Sequence, residues 1–341
     1  LDSDRNISKL KKDSLKILDN IVKDNNIDCV IISTDPLTHY KYASWALEKG
    51  LHILMDKPIT SEKNVSTSLR KAKKLVSDYD KLANIYKKAK NKKHVVFSLM
   101  SQRRYHPLYK IMKEKVAEVF SETNCPITSI QTSHSDGQWR TPNEIVDLEY
   151  HGYNLGYGKC SHSGYHSMDI INWLISSAES VSKKITGVEV FTSFLRPPDF
   201  LHQINYADYC KIFPDFNKIN KYQDKDFLYK TRKFGEIDAF SNITFMSGKN
   251  VQTLACMNLM HNGFSQRGWL SSADKDLYKG NGRVRQEQYI IEQGPFQSIS
   301  LITYQSQEIC EKNEDLFSVG KEFHMELHVF RNSNLFPMWK T

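Results

Sequence analysis

The chain has 341 residues, of which 40% are apolar and 11% aromatic. That suffices for a large core in two domains and excludes a disordered or low-complexity chain. The formal net charge is +8, yet the densest basic run, Lys87-Lys88-Ala89-Lys90-Asn91-Lys92-Lys93, falls at a predicted helix end, where lysines complement the dipole rather than mark a nucleic-acid groove.

Helical spacing of Leu10, Ile17, Leu18, Ile21 and Val22 predicts a helix from about Lys9 to Asp24. An apolar strand over Asp28–Ser33 follows, then a helix over His39–Lys49 stopped by Gly50. A second apolar strand, Leu51–Met55, delivers Asp56-Lys57-Pro58 to a sheet edge. Strand, helix and strand of this length form a parallel βαβ unit, and ligands of such sheets lie beyond the carboxyl ends of the strands. A long helix or helix pair from Ser61 to Lys90, a strand over His94–Leu99 and a helix from Pro107 to about Phe120 continue the alternation. After Pro126 the pattern changes to alternating apolar stretches at Ile127–Ser133, Ile185–Phe194, Ala239–Met246, Val251–Leu259, Gln288–Glu292 and Ser298–Tyr304. Ser247-Gly248-Lys249-Asn250 joins two of them as a hairpin, and a helix over Gly164–Ser176 interrupts the series. Asn205–Phe234 is polar and aromatic without a period and reads as a lid-like loop. The boundary is expected near residue 120, dividing the chain into 1–120 and 121–341. The first part holds no GxGxxG turn, and we expect this unit to be incomplete at its start, without a first strand. Asp2 or Asp4 is a candidate for the acid that holds a ribose.

No apolar run approaches the ~20 residues of a membrane span, and the first residues lack the apolar stretch of a signal peptide. Six cysteines without CxxC spacing read as reduced thiols. We therefore expect a cytoplasmic protein with neither a membrane nor a nucleic-acid partner.

Three clusters carry chemistry. In Asp56-Lys57-Pro58 the Lys57 ammonium is placed to polarise a substrate oxygen, unless it is simply a surface lysine after a strand. Lys159-Cys160-Ser161-His162-Ser163-Gly164-Tyr165-His166 opens a helix whose buried stripe would be Ile170, Ile171, Trp173 and Leu174. His162 and His166 share a face if that helix starts early, and a neutral imidazole can take a hydroxyl proton. Two structural histidines are the plainer alternative. A metal site from Cys160, His162 and His166 fits no standard zinc spacing, and none is expected. In Gln102-Arg103-Arg104-Tyr105-His106-Pro107 the arginines face phosphates or substrate, or are salt-bridged within the fold. Trp139 and Arg140 are candidates for lining a substrate pocket, although a core Trp is the commoner case.

Together these segments resemble the glucose-fructose oxidoreductase / inositol dehydrogenase family of nicotinamide-dependent oxidoreductases, over most of the chain from Ile27 to Phe330. Thr34-Asp35-Pro36 with His39 looks like the family's T-P-x-x-x-H turn, and Ala46-Leu47-Glu48-Lys49-Gly50 with His52 like its ALxxGxH stretch. Asp56-Lys57-Pro58 resembles E-K-P, Arg104-Tyr105-His106-Pro107 resembles R-[FY]-x-P, and Gly158 to Asp169 resembles GGxxxDxGxHxxD. The resemblance implies an α/β Rossmann-like parallel-sheet domain, here lacking its first strand and glycine turn, followed by an α+β domain with a large open, mostly antiparallel sheet. It implies NAD or NADP as cofactor, with the nicotinamide between the domains, and a homodimer or homotetramer through the second sheet. By position it assigns catalysis to Lys57, His166 and His162; cofactor contacts are expected from Thr34, Asp35, Pro36, His39, Asp56, Lys57, Gln102 and Arg104, and substrate contacts from Trp139, Arg140 and His166. Two positions depart from the family: Asp56 replaces Glu, and His162 replaces an Asp. We expect the family's returning tail to be short here, from the residues that follow Glu326–Phe330.

The expected activity is hydride transfer between nicotinamide and a carbinol carbon of a sugar, cyclitol or related polyol. Its rivals are lyase or glycosidase chemistry with transient use of the cofactor, and a non-catalytic ligand sensor or partner protein on the same fold.

Overall fold

The computed structural model describes residues 10–149, 151–270, 282–307 and 324–339. Asp2, Asp4 and Cys310 lie outside them. The chain forms two compact units, divided after Gln102, with residues 155–157 belonging to the first.

In the first unit, β1 (Cys29–Ile32), β2 (His52–Met55) and β3 (Phe97–Leu99) form a parallel sheet in that order. Helices α1 (Lys12–Asp24), α2 (Pro36–Glu48) and α3 (Leu69–Lys92) alternate with them. Helix α2 starts where it does because Pro36 sits in its first turn and the Asp35 carboxylate accepts the Leu37 N–H at 2.9 Å. Its small Ala43 and Ala46 are fully buried with Ile53 and Met55 of β2 in one core. The lysine run ends α3, as its position in the sequence implies.

The second unit is built on seven strands: β4 (Ser129–Ser135), β5 (Gly187–Leu195), β6 (Asp238–Ser247), β7 (Asn250–Met260), β8 (Arg283–Gln293), β9 (Gln297–Gln307) and β10 (His324–Arg331). Their order is β10-β9-β8-β4-β7-β6-β5, antiparallel except where β4 runs parallel to β7. Register sorts the side chains. Ile243, Ala255, Ile130, Ile291, Ile299 and Val329 lie in one row across six strands, and this face packs with helices α4 (Pro107–Thr123) and α6 (Tyr165–Ile175) in a single core. One residue along, the opposite face carries Asn242, Cys256, Gln131, Ile290, Ser300 and His328. A period of two explains why neighbours differ so sharply in burial.

Three features depart from expectation. The division falls before residue 120, because Tyr109, Met112 and Val116 of α4 share their core with Ile291 and Ile299 of the second sheet. The stretch expected as a lid-like loop is helical: after β5 come α7 (Pro197–Phe200), α8 (Tyr206–Ile212), α9 (Phe216–Ile219) and α10 (Asp224–Thr231), around a core of Phe200, Tyr209, Phe216 and Phe227. Helices this short show no readable period, and their aromatic side chains supply the burial instead. Finally, the stretch Glu326–Phe330 is a strand, β10, which covers the core through Met325, Leu327 and Val329.

Adjacent residues of β4 test the register. Ile130→Ala should destabilise the second unit by about 2–5 kcal/mol, whereas Gln131→Ala should change stability by no more than about 0.5 kcal/mol, read from urea unfolding.

Candidate functional site

In the first unit, candidate residues gather at the carboxyl ends of β1 and β2. His39 is fully buried, with Nδ1 2.7 Å from the Pro58 carbonyl and Nε2 3.0 Å from the Thr34 carbonyl. It thereby ties the turn after β1 to the segment holding Lys57, so its part is structural rather than direct contact with a cofactor. The Asp56 carboxylate accepts the Lys57 N–H at 2.8 Å, and the Lys57–Pro58 peptide is cis. Lys57 is half-buried, Thr34 is exposed, and Gln102 is exposed at the start of a 3₁₀ turn, Gln102–Tyr105. Hydroxyl, carboxylate and ammonium groups at parallel strand ends fit the ribose and nicotinamide end of a dinucleotide.

The second unit holds a buried ionic cluster that the motifs did not reveal. Lys159 is 0% exposed, and its Nζ donates to Asp136 Oδ2 at 2.5 Å and to His134 Nδ1 at 3.0 Å. Asp136 also receives His261 Nδ1 at 3.4 Å and Arg283 Nη2 at 3.3 Å. Burial alone would raise the Asp136 carboxyl, but the Lys159 charge and the His261 hydrogen bond hold it well below the usual range. Gly137 next to it has φ +58, and a Cβ there would lie 1.8 Å from the Val284 carbonyl oxygen, so only glycine lets the chain turn past β8. The sequence signals were faint: polar His134 and Ser135 on a strand, and Lys159 just before the histidine motif.

The helix-opening segment is a π-helical turn, Cys160–Gly164, running into α6. Turns of this kind recur at functional sites. His162 is buried in it, with Nε2 2.8 Å from the Tyr153 hydroxyl, Nδ1 2.8 Å from Ser163 Oγ, and its ring stacked on His151 at 4.4 Å. His166, on α6 itself, is half-buried beside Tyr165. Arg104 makes a two-pronged ion pair with Asp169 of α6, including Nε to Oδ2 at 2.7 Å, which selects the salt-bridged alternative for that residue. Arg103 pairs likewise with Glu287 at 2.7 and 2.8 Å.

Trp139 and Arg140 part company. The Trp139 indole N–H donates to the Tyr209 hydroxyl at 3.0 Å and its ring packs on Tyr209 and Phe213, so it belongs to the aromatic core of the small helices and is corrected from a substrate contact to a packing residue. Arg140 is 4% exposed and lines a pocket together with Tyr153, Asn154 and His261. Arg267 fixes the main chain beside it, donating to the Trp139 carbonyl at 2.7 Å and to both carboxylate oxygens of Glu144 at 2.6 and 2.8 Å. Glu144 belongs to α5 (Pro142–Asp147) and in turn accepts the Thr141 N–H at 2.8 Å. Among the described residues no three His, Cys, Asp or Glu side chains are grouped to hold a metal, and no helix is long and apolar enough to cross a membrane.

Burial drives the imidazoles of His134 and His162 well below the ordinary histidine range and takes His261 down to about 4. Between those values and about 6.5 the unfolded chain binds more protons, so this stability is lost as pH falls from about 6.5 toward 4. Asp238 acts oppositely. Burial pushes its carboxyl up to about 6, so the native state holds the proton more tightly and gains stability as pH falls through that value. The urea midpoint should therefore drop between about pH 7.5 and pH 5, and Asp238→Asn should steepen that drop.

Residues 5–97 match the profile of an oxidoreductase family with an NAD-binding Rossmann fold. An uncharacterized oxidoreductase of Schizosaccharomyces pombe is 46% identical over 43 residues, which is 13% of this chain and 12% of that protein. Among solved structures, a levoglucosan dehydrogenase in complex with NADH and levoglucosan superposes with a TM-score of 0.49 at 13% identity, over 92% of this chain and 63% of its own. An inositol dehydrogenase homolog from Azotobacter vinelandii, complexed with NADH and myo-inositol, gives 0.49 at 10% identity, over 92% and 59%. This chain thus spans about three fifths of those two proteins. The parallel sheet of the first unit agrees with that match, in which residues 5–97 are similar to an oxidoreductase family with an NAD-binding Rossmann fold.

Proposed function

We propose that the chain acts as an NAD(P)-dependent oxidoreductase on a CH–OH group of a sugar, cyclitol or related polyol. The observation that carries this reading is a half-buried lysine, Lys57, at the carboxyl end of β2 in a unit matching an NAD-binding oxidoreductase family. A bound nicotinamide would accept or donate the hydride of the carbinol carbon. Thr34, Asp35, Pro36, Asp56 and Gln102 would hold the ribose and nicotinamide end. Lys57 donates a hydrogen bond to the reacting oxygen and polarises it. His166 takes the hydroxyl proton during oxidation and returns it during reduction. His162 has both nitrogens engaged by Tyr153 and Ser163, and its neutral ring orients the turn that precedes His166. Arg104 holds α6, and with it His166, through Asp169. Five described cysteines are free, in keeping with a cytoplasmic protein.

The open face of the seven-stranded sheet supports self-association with a second copy of the chain. Phe191, Phe240, Leu254 and Phe330 stand on it at 70%, 45%, 57% and 61% exposure. Large exposed apolar groups on a flat sheet favour a partner surface.

Two measurements test the reading. Lys57→Ala should lower turnover by about 10²-fold or more while NADH affinity, followed by fluorescence, stays within about twofold. Turnover close to that of the parent chain would remove Lys57 from the chemistry, and failure of NADH to bind would favour the sensor alternative. Leu254→Lys combined with Phe240→Lys should shift the sedimentation of the chain to that of a monomer.

A further inference from the structure

We infer that the outer face of α3 docks the chain on an anionic phospholipid bilayer, a role independent of the oxidoreductase reading. Helix α3 has 24 residues, of which nine are Lys or Arg and two are Asp, so it carries +7 of the chain's net +8. Part of that charge is answered within the fold. Glu62 pairs with Lys71 and Lys74 at 2.6 Å, and Asp78 accepts from Lys74 at 2.6 Å. Arg70, Lys73, Lys87, Lys88, Lys90 and Lys92 are exposed and make no ion pair among the described residues, and Asp80 is the one exposed acid of the helix. The helix dipole accounts for Lys90 and Lys92 in the last turn. It works against Arg70 and Lys71 in the first turn, which holds no acidic residue, and Ser68 makes no capping hydrogen bond there. These charges do not serve the helix itself, and an extended surface of opposite sign compensates them.

Apolar side chains on the same helix select the kind of surface. Leu69, Val76 and Tyr79 stand at 72%, 62% and 51% exposure. At about 100° per residue, Leu69, Lys73, Val76 and Lys87 share one side of the helix, while Leu82 and Ala89 on the other side are buried in the core of the first unit. Aliphatic and cationic groups are therefore presented together along about 36 Å. A bilayer takes both, since leucine and valine enter the boundary between headgroups and acyl chains while lysines stay at the level of the lipid phosphates. Nucleic-acid phosphates would answer the charge but offer nothing to Leu69 and Val76. The lack of a spanning segment does not bear on such peripheral attachment, which needs only anionic lipid beside a basic, partly apolar helix.

The test is co-sedimentation of the whole chain with vesicles of phosphatidylcholine alone and of phosphatidylcholine with about 30% phosphatidylserine, at about 0.1 M salt. A short DNA duplex and poly-L-glutamate serve as soluble competitors. Vesicles with phosphatidylserine should bind at least about tenfold more tightly than phosphatidylcholine alone, and neither competitor should displace the chain at equal charge concentration. Lys87→Gln with Lys88→Gln and Lys90→Gln should weaken this binding at least about tenfold. Leu69→Ser with Val76→Ser should weaken it about threefold or more without changing retention on the duplex. No preference for the anionic vesicles, binding that the aliphatic pair leaves unchanged, or displacement by either competitor overturns the inference. All five positions are exposed, and an unchanged urea midpoint checks that each variant folds. If one does not, the preference of the parent chain for anionic vesicles over the competitors decides the matter.

Discussion

The ion pair between Lys159 and Asp136 is the constraint around which the second unit is organised. A fully buried ammonium is tolerable only beside a compensating charge, and removing either partner leaves a stranded ion that costs about 3–5 kcal/mol. The pair fixes the loop after β4 to the start of the helix-opening turn, positions far apart in sequence. Backbone contacts reinforce it: the Lys159 N–H donates to the Glu236 carbonyl at 3.0 Å. At Gly158, a Cβ would come within 2.0 Å of that same oxygen. Arg283 at the start of β8 and His261 at the end of β7 close the cluster. Four separate stretches of chain thus meet at one carboxylate.

Chemistry follows from this packing. Cations around Asp136 keep it ionised, while burial keeps His134, His162 and His261 uncharged near neutrality. His162 therefore adds no charge to the cluster. It adds a ring that bonds Tyr153 and Ser163 and stacks on His151. His166, four residues later, stays half-buried on a regular helix whose position is fixed by Asp169 and Arg104. One histidine braces the turn while the next keeps a more open setting. In the first unit His39 has a comparable bracing part, bonding two carbonyls and so setting the strand-end turn and the lysine segment in register.

Local sequence determined whatever depends on short-range periodicity and turn chemistry. The parallel βαβ unit, the strand that ends in Asp56-Lys57-Pro58, the alternation of β6 and β7 and the buried stripe of α6 all follow from spacings that repeat within one element. Ile170, Ile171 and Leu174 are buried as that stripe requires, while Trp173 stays half-buried under the Lys113 ammonium, 4.6 Å from its ring centroid. Tertiary structure alone decided which elements share a core and which polar groups meet. Helix α4 has the same amphipathic pattern whichever sheet it covers, so only contact with Ile291 and Ile299 assigns it to the second unit. Trp139 is equally suited to a sugar or to Tyr209, and the fold of the short helices makes the choice. Lys159, Asp136 and His261 are spread over 126 residues and carry no mutual spacing signal, because their attraction acts through space and appears only once the chain has brought them together.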